Sequence, residues 1–297
     1  MHRRKFLVTL SGLVLEPALT RAAEDAAFLR GTLTKFTLPG GGDNRATYMP
    51  DGKAVLFASA RTGRSQIWAV DADGGNARQV HESGANDYGR VAPSPDGTRV
   101  CFSSNRGGQN AIYVLDLGTG AATLISDLAW WSFGPTWSSR DLIAYFSRKG
   151  GNAINIWTVR PDGSGARQVT DRPGESRQPW WSPDGSTLAL SADDGTGVFR
   201  VWLMRADGSD AWAITARGNW QQRFWSPDGR RLAVSAKIDS SPFRILVMGA
   251  DGSDVRVIQQ PMGADNVHPA WSPDGRSIIF TSGMGPGSAL WRLTLAE

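Results

Sequence analysis

Cysteine is almost absent from this chain of 297 residues: Cys101 stands alone. No intrachain disulfide can form, and its place in an apolar run reads as a small buried hydrophobe. Histidine is scarce as well. Of the three, His2, His81 and His268, no two share a spacing that holds a metal, so neither metal nor cofactor is expected. No apolar run is long enough to cross a bilayer. There is no Gly-x-Ser-x-Gly elbow and no glycine-rich phosphate loop among the 35 glycines, which removes the commonest serine-hydrolase and nucleotide-binding signatures. Asp71-Ala72-Asp73-Gly74 has the look of a calcium loop but lacks its closing glutamate, and reads as a hairpin turn.

A basic run is missing too, apart from the first residues. The formal charge is +4, of which Arg3, Arg4, Lys5 and Arg21 against Glu16 supply +3, leaving +1 for residues 23–297. Nucleic-acid binding is therefore not expected. The same residues read as an address. Arg3-Arg4-Lys5-Phe6-Leu7 precedes a modest apolar stretch to Leu15, and Thr20-Arg21-Ala22 offers small residues for cleavage. Residues 1–22 are expected to be a twin-arginine-type export signal, residues 23–30 a short linker and residues 31–297 the folded domain.

What is present is a repeat. Trp181-Ser182-Pro183-Asp184-Gly185 returns almost unchanged at Trp225 to Gly229 and at Trp271 to Gly275. Weaker copies stand at Pro50-Asp51-Gly52, Pro95-Asp96-Gly97 and Trp137 to Asp141. The proline position falls at 50, 95, 139, 183, 227 and 273, a spacing of 44 to 46 residues. Pro-Asp-Gly suits a tight turn: proline presets φ, aspartate bonds its own backbone and glycine takes positive φ. A second landmark, Trp68, Tyr113, Trp157, Trp202, Leu246 and Trp291, keeps the same period. Asp-Gly-Ser turns follow at Asp162, Asp207 and Asp251, each leading into a short alternating run.

Four strands per unit and six units predict an all-β, six-bladed propeller with four-stranded antiparallel blades. The sixth unit ends before its outer strand could form, whereas residues 33–38 alternate and belong to no other unit. They are expected to pair as the outermost strand of the last blade and close the ring. The third unit, with Ser139-Arg140-Asp141 in place of Pro-Asp-Gly, is expected to turn differently. The recurrent Trp137, Trp181, Trp225 and Trp271 are assigned to packing between blades.

The stretch from Phe57 to Gly74, together with the Trp-Ser-Pro-Asp-Gly turns, resembles the propeller of the periplasmic TolB family. The resemblance covers about residues 31–297 and implies a non-enzymatic, monomeric periplasmic module binding a cell-envelope protein or peptide, with no membrane span after signal removal. TolB itself carries an α/β domain ahead of its propeller, for which residues 23–30 leave no room.

Propellers bind at the mouth of their central channel, and the innermost strand should precede each Trp-Ser-Pro. Three positions before each tryptophan, or its equivalent, stand Arg45, Arg90, Gly134, Gln178, Gln222 and His268. Six positions before it stand Gly42, Asp87, Trp131, Glu175, Asn219 and Asp265. The expected mouth thus offers guanidinium forks and amides for carboxylates and peptide backbone, with Trp131 and Trp220 as flat apolar contacts. Water alone would also select polar residues for a channel lining. No residue is assigned a catalytic role; the competing reading is a polysaccharide lyase or hydrolase acting through Asp87, Glu175 and Asp265.

Overall fold

The computed structural model describes residues 28–37, 41–151, 153–216, 218–237 and 241–296. The expected signal at residues 1–22, most of the expected linker and Leu38 lie outside them. The described chain folds into six four-stranded antiparallel sheets arranged as blades. Their innermost strands are Asn44–Tyr48, Asp87–Pro93, Ser132–Trp137, Ser176–Trp181, Asn219–Trp225 and Asn266–Trp271. Each touches the next, and the sixth touches the first, so the blades form a closed ring. The outermost strands are short, only two residues each at Arg167–Gln168, Trp212–Ala213 and Arg256–Val257, which limits the exposed edge available to another chain.

Closure follows the expected route with shifted ends. Gly31–Lys35 pairs antiparallel with Ala289–Leu295, from Gly31 opposite Leu295 to Lys35 opposite Trp291. The strand stops there because the amides of Phe36 and Thr37 both turn to the Leu290 carbonyl, and Phe36 drops into the seam between the sixth and first blades. The expected linker is not all linker. Leu29 already bridges to Ile258, donating to the Val257 carbonyl at 3.1 Å and accepting from Gln259 at 3.0 Å.

Trp137, Trp181, Trp225 and Trp271 are all buried. Trp225 shows why: it lies among Val201 and Leu203 of the fourth blade and Val234 and Leu246 of the fifth. Each such side chain removes roughly 200 Å² from water, about 5 kcal/mol before entropy is counted. The turn after each tryptophan is stapled locally. In the fourth blade the Ser182 hydroxyl donates to Asp184 at 2.6 Å, and Asp184 accepts from the Ser186 amide at 3.0 Å. These bonds, the serine's first, hold the Asp184 carboxyl down to about 2. The third blade does turn differently: Asp141, at φ 56°, occupies the glycine position and accepts from Trp137 Nε1 at 2.8 Å.

Candidate functional site

Every innermost strand breaks register at the level the repeat spacing singled out. The shifts fall between Asn44 and Thr47, Tyr88 and Ala92, Phe133 and Thr136, Arg177 and Trp180, Gln221 and Arg223, and Val267 and Ala270. The inner strand carries one extra residue at five of these shifts and two in the second blade, the pattern of β-bulges, which re-aim a side chain at the cost of ladder pairing. Arg45, Gln178 and His268 consequently adopt left-handed backbone, with φ of 57°, 54° and 56°. Each such residue costs roughly 1–2 kcal/mol. In the second blade Gly89 takes the positive φ, at 81°, next to Arg90.

The bulges bring the ring together. Arg45, Arg90, Gly134, Gln178 and His268 line one small central cavity with Phe133 and Phe146. Gln222 belongs to the same level by sequence, but its side chain lies outside the described residues. Arg45 Nε donates to His268 Nε2 at 3.2 Å, a contact across 223 residues of chain. The Arg90 guanidinium lies 4.2 Å from the centre of the Trp180 ring and has no hydrogen-bond or carboxylate partner among the described residues. These side chains sit deep in the protein yet face the channel.

A third arginine stands behind them. Arg223 is fully buried; it donates to the Ser191 hydroxyl and, at 3.4 Å, to the Gln178 carbonyl, while its Nε has no partner. The sequence did hold a signal for it. Residues at the same phase are Ala46, Val91, Pro135, Pro179 and Pro269, all without charge. Burial, and then the neighbouring arginine in each case, pushes the Arg90 and Arg223 guanidiniums down to about 9. Both stay protonated at neutral pH, so the channel centre concentrates positive charge.

Burial first, then Arg45 and Arg90, holds the His268 imidazole well below its usual 6.5. Burial and Arg106 lower His81 as well, partly opposed by Asp87. A histidine so depressed binds fewer protons folded than unfolded, so its contribution to stability is complete above about 6.5 and fades as pH falls. Thermal melts are expected to rise from about pH 5 to 7, and His268→Gln should flatten that rise. A slope unchanged in the variant would assign it elsewhere.

The three carboxylates expected in the funnel brace their own loops. Asp87 is fully buried, and both of its carboxylate oxygens accept from Arg106 Nη2, at 2.9 and 3.0 Å. Glu175 is paired with Arg177, and Asp265 accepts the Phe243 amide at 2.7 Å. The aromatics divide. Trp131 is half-buried, stacked on Phe133 with rings 5.7 Å apart and edge-on to Phe146. Trp220 corrects the expectation: it is only 4% exposed and packs in the core between the fourth and fifth blades.

A larger opening lies above the ring. A pocket of about 470 Å³ between the sixth and first blades is lined by Gly41, Gly42, Asn44 and the loop from Gly283 to Ser288, and its floor is Arg45 and His268. That volume is in the range of ligand sites. Of the seven large apolar side chains exposed among the described residues, Leu128, Trp130, Val198, Met262 and Met284 stand on loops at this same end of the blades. The repeat spacing does not mark them, since a single apolar loop residue carries no periodic signal.

Residues 90–296 match the family model described as the TolB beta propeller domain. The chain belongs to this family. A stretch of 64 residues, 21% of the chain, is 36% identical to the Tol-Pal system protein TolB of Nitratidesulfovibrio vulgaris and spans 14% of that protein. The solved structure of a putative TolB from Agrobacterium tumefaciens superposes with a TM-score of 0.67 at 22% identity, covering 86% of this chain and 91% of that one. An oligogalacturonate lyase in complex with manganese gives 0.62 at 17% identity over 92% and 95% of the two chains. At these identities both structures speak to the fold alone. The floor of this TolB-type propeller is unlike a manganese site, since it presents guanidiniums that repel a cation instead of carboxylates that bind one.

Proposed function

We propose that this TolB-type propeller is a non-enzymatic binding module of the periplasm, exported through residues 1–22, that takes a segment of a cell-envelope protein into its channel mouth. The observation that carries the reading is the pocket between the sixth and first blades. Its floor is arginine without a carboxylate partner, and the loops at that end leave large apolar side chains in water. Such a surface suits a polypeptide that brings acidic groups to the floor and apolar groups to the rim. The strained bulges support it, because backbone strain of this kind persists where it aims functional side chains. The Tol-Pal designation of the Nitratidesulfovibrio relative supplies the envelope context.

The test is affinity capture from an envelope extract, with mass spectrometry of the captured proteins. Arg45→Glu combined with Arg90→Glu is expected to weaken capture by about 30-fold or more, as reversal of buried charge contacts costs at least about 2 kcal/mol. Retention of every partner by the double variant would remove the mouth as the binding surface. The polysaccharide-enzyme alternative has the shared lyase fold behind it, but Asp87, Glu175 and Asp265 are each engaged by a partner within the protein.

A further inference from the structure

We propose that the floor of the mouth pocket is a carboxylate site, in which Arg45 and Arg90 together hold one planar anion against Phe133, Phe146 and Gly134. The inference deepens the binding reading above by naming the group that the floor takes, and rests on it for the source of that group, the end or side chain of a polypeptide.

Arg45, Arg90 and Arg223 come together without a carboxylate partner among the described residues, although the same protein pairs Arg61 with Asp43 and Arg106 with Asp87 a few residues away. Buried positive charge without a counter-ion is costly, and a bound anion relieves that cost. Arg223 does not line the cavity; two of its nitrogens are engaged by Ser191 and Gln178, so it adds field and not contact. Arg45 and Arg90 are the groups with N–H bonds to offer. The Nε of Arg45 is held by His268 and its guanidinium lies 5.6 Å from the Phe133 ring centre, while Arg90 is held over Trp180. Both forks are thus oriented before any ligand arrives.

The central cavity offers about 40 Å³, more than one water needs and enough for a small anion. It shares Arg45 and His268 with the larger pocket above, so a group can enter from that side. Its lining mixes few donors with apolar surface: the guanidiniums of Arg45 and Arg90 share it with Phe133 and Phe146, whose rings meet edge to face at 5.8 Å. A carboxylate presents two oxygens in one plane and matches a guanidinium fork. A tetrahedral anion would turn further oxygens toward the phenylalanines, which have nothing to donate. His268 Nδ1 is also buried without a partner, a second polar atom at the floor awaiting one.

Sodium acetate, titrated by calorimetry at constant ionic strength held with sodium chloride, is the direct probe. Saturable binding is expected, weakened about tenfold or more by Arg90→Met and by Arg90→Lys, the second keeping charge while losing the fork. N-acetyl-triglycine should bind more tightly than acetate, and its C-terminal amide should not bind. Absence of saturable binding, phosphate binding as well as acetate, or acetate affinity unchanged in both Arg90 variants would each overturn the site. Acetate binding without the gain for the acid peptide would overturn the polypeptide source. Envelope capture that persists while acetate and peptide fail sinks the carboxylate site alone; acetate binding with capture indifferent to Arg45 and Arg90 sinks the mouth reading alone.

Discussion

Phe36→Ala is expected to lower the melting temperature by roughly 10 °C, and deletion of residues 31–36 to lower it further or abolish a cooperative transition. Phe36 is buried between Tyr48, Phe57 and Val70 of the first blade and Ile279 and Leu290 of the sixth. Arg292 lies over its ring at 5.1 Å. Emptying such a site costs about 3–5 kcal/mol, and each kcal/mol moves the midpoint by about 2–4 °C for a domain approaching this size. The deletion also strips Ala289–Leu295 of its partner strand and uncovers Leu293 and Phe280, against which Leu33 packs. The ring would then open at one seam, with unpaired backbone on the last blade. Calorimetry on the purified protein decides the matter: a melting curve unchanged by the deletion would mean that closure does not depend on this strand.

Gly252→Ala should destabilise the protein by about 3 kcal/mol or more, and Gly163→Ala by only about 1–2 kcal/mol. Both glycines occupy the Asp-Gly-Ser turn at nearly the same backbone angle, φ 86° and 85°, so the left-handed strain of an added Cβ is common to both. They differ in what lies opposite. A Cβ on Gly252 would stand 2.0 Å from the Ile214 carbonyl oxygen, whereas on Gly163 the nearest atom is Ile125 Cα at 3.6 Å. The turn of the fifth blade is therefore pressed against the backbone that follows the outer strand of the fourth. Urea titration of the two variants checks this, and equal losses would show that the turns matter only locally. The same contact recurs across the closure, where a Cβ on Gly74 would meet the Phe36 carbonyl at 3.2 Å. Phe36 thus stands in the sixth blade where Ile214 stands in the fourth.

The strands and their order were legible because their signals are local. Ser182, Asp184 and Gly185 make their turn from bonds within a few residues, and the alternating runs carry their own apolar phase. Counting back three residues from each tryptophan reached the ring of Arg45, Arg90, Gln178 and His268 because the repeat keeps its length. Nothing in that count revealed the bulge, since left-handed backbone at Arg45 or His268 breaks the usual preference for glycine. Asp87 illustrates the other failure. A carboxylate at funnel level looked available until Arg106, on the next turn, closed on it. Trp220 and Arg223 diverge for a related reason: the tryptophan, expected at the mouth, went into the core, and the arginine, which the spacing did not single out, came to stand behind the channel floor, according to what the fourth blade packed against each.

By itself, the sequence determined the number of blades, the position of their turns and the level at which non-repeating side chains would meet. These depend on interactions spanning fewer residues than one repeat. Only the tertiary structure decided which of those side chains keep a free charge. Arg45 meets His268 across 223 residues, and Arg90 meets Trp180 two blades away. Such encounters exist only once the ring has closed, because closure is what places the first blade beside the last and turns polar positions on separate blades into one basic floor.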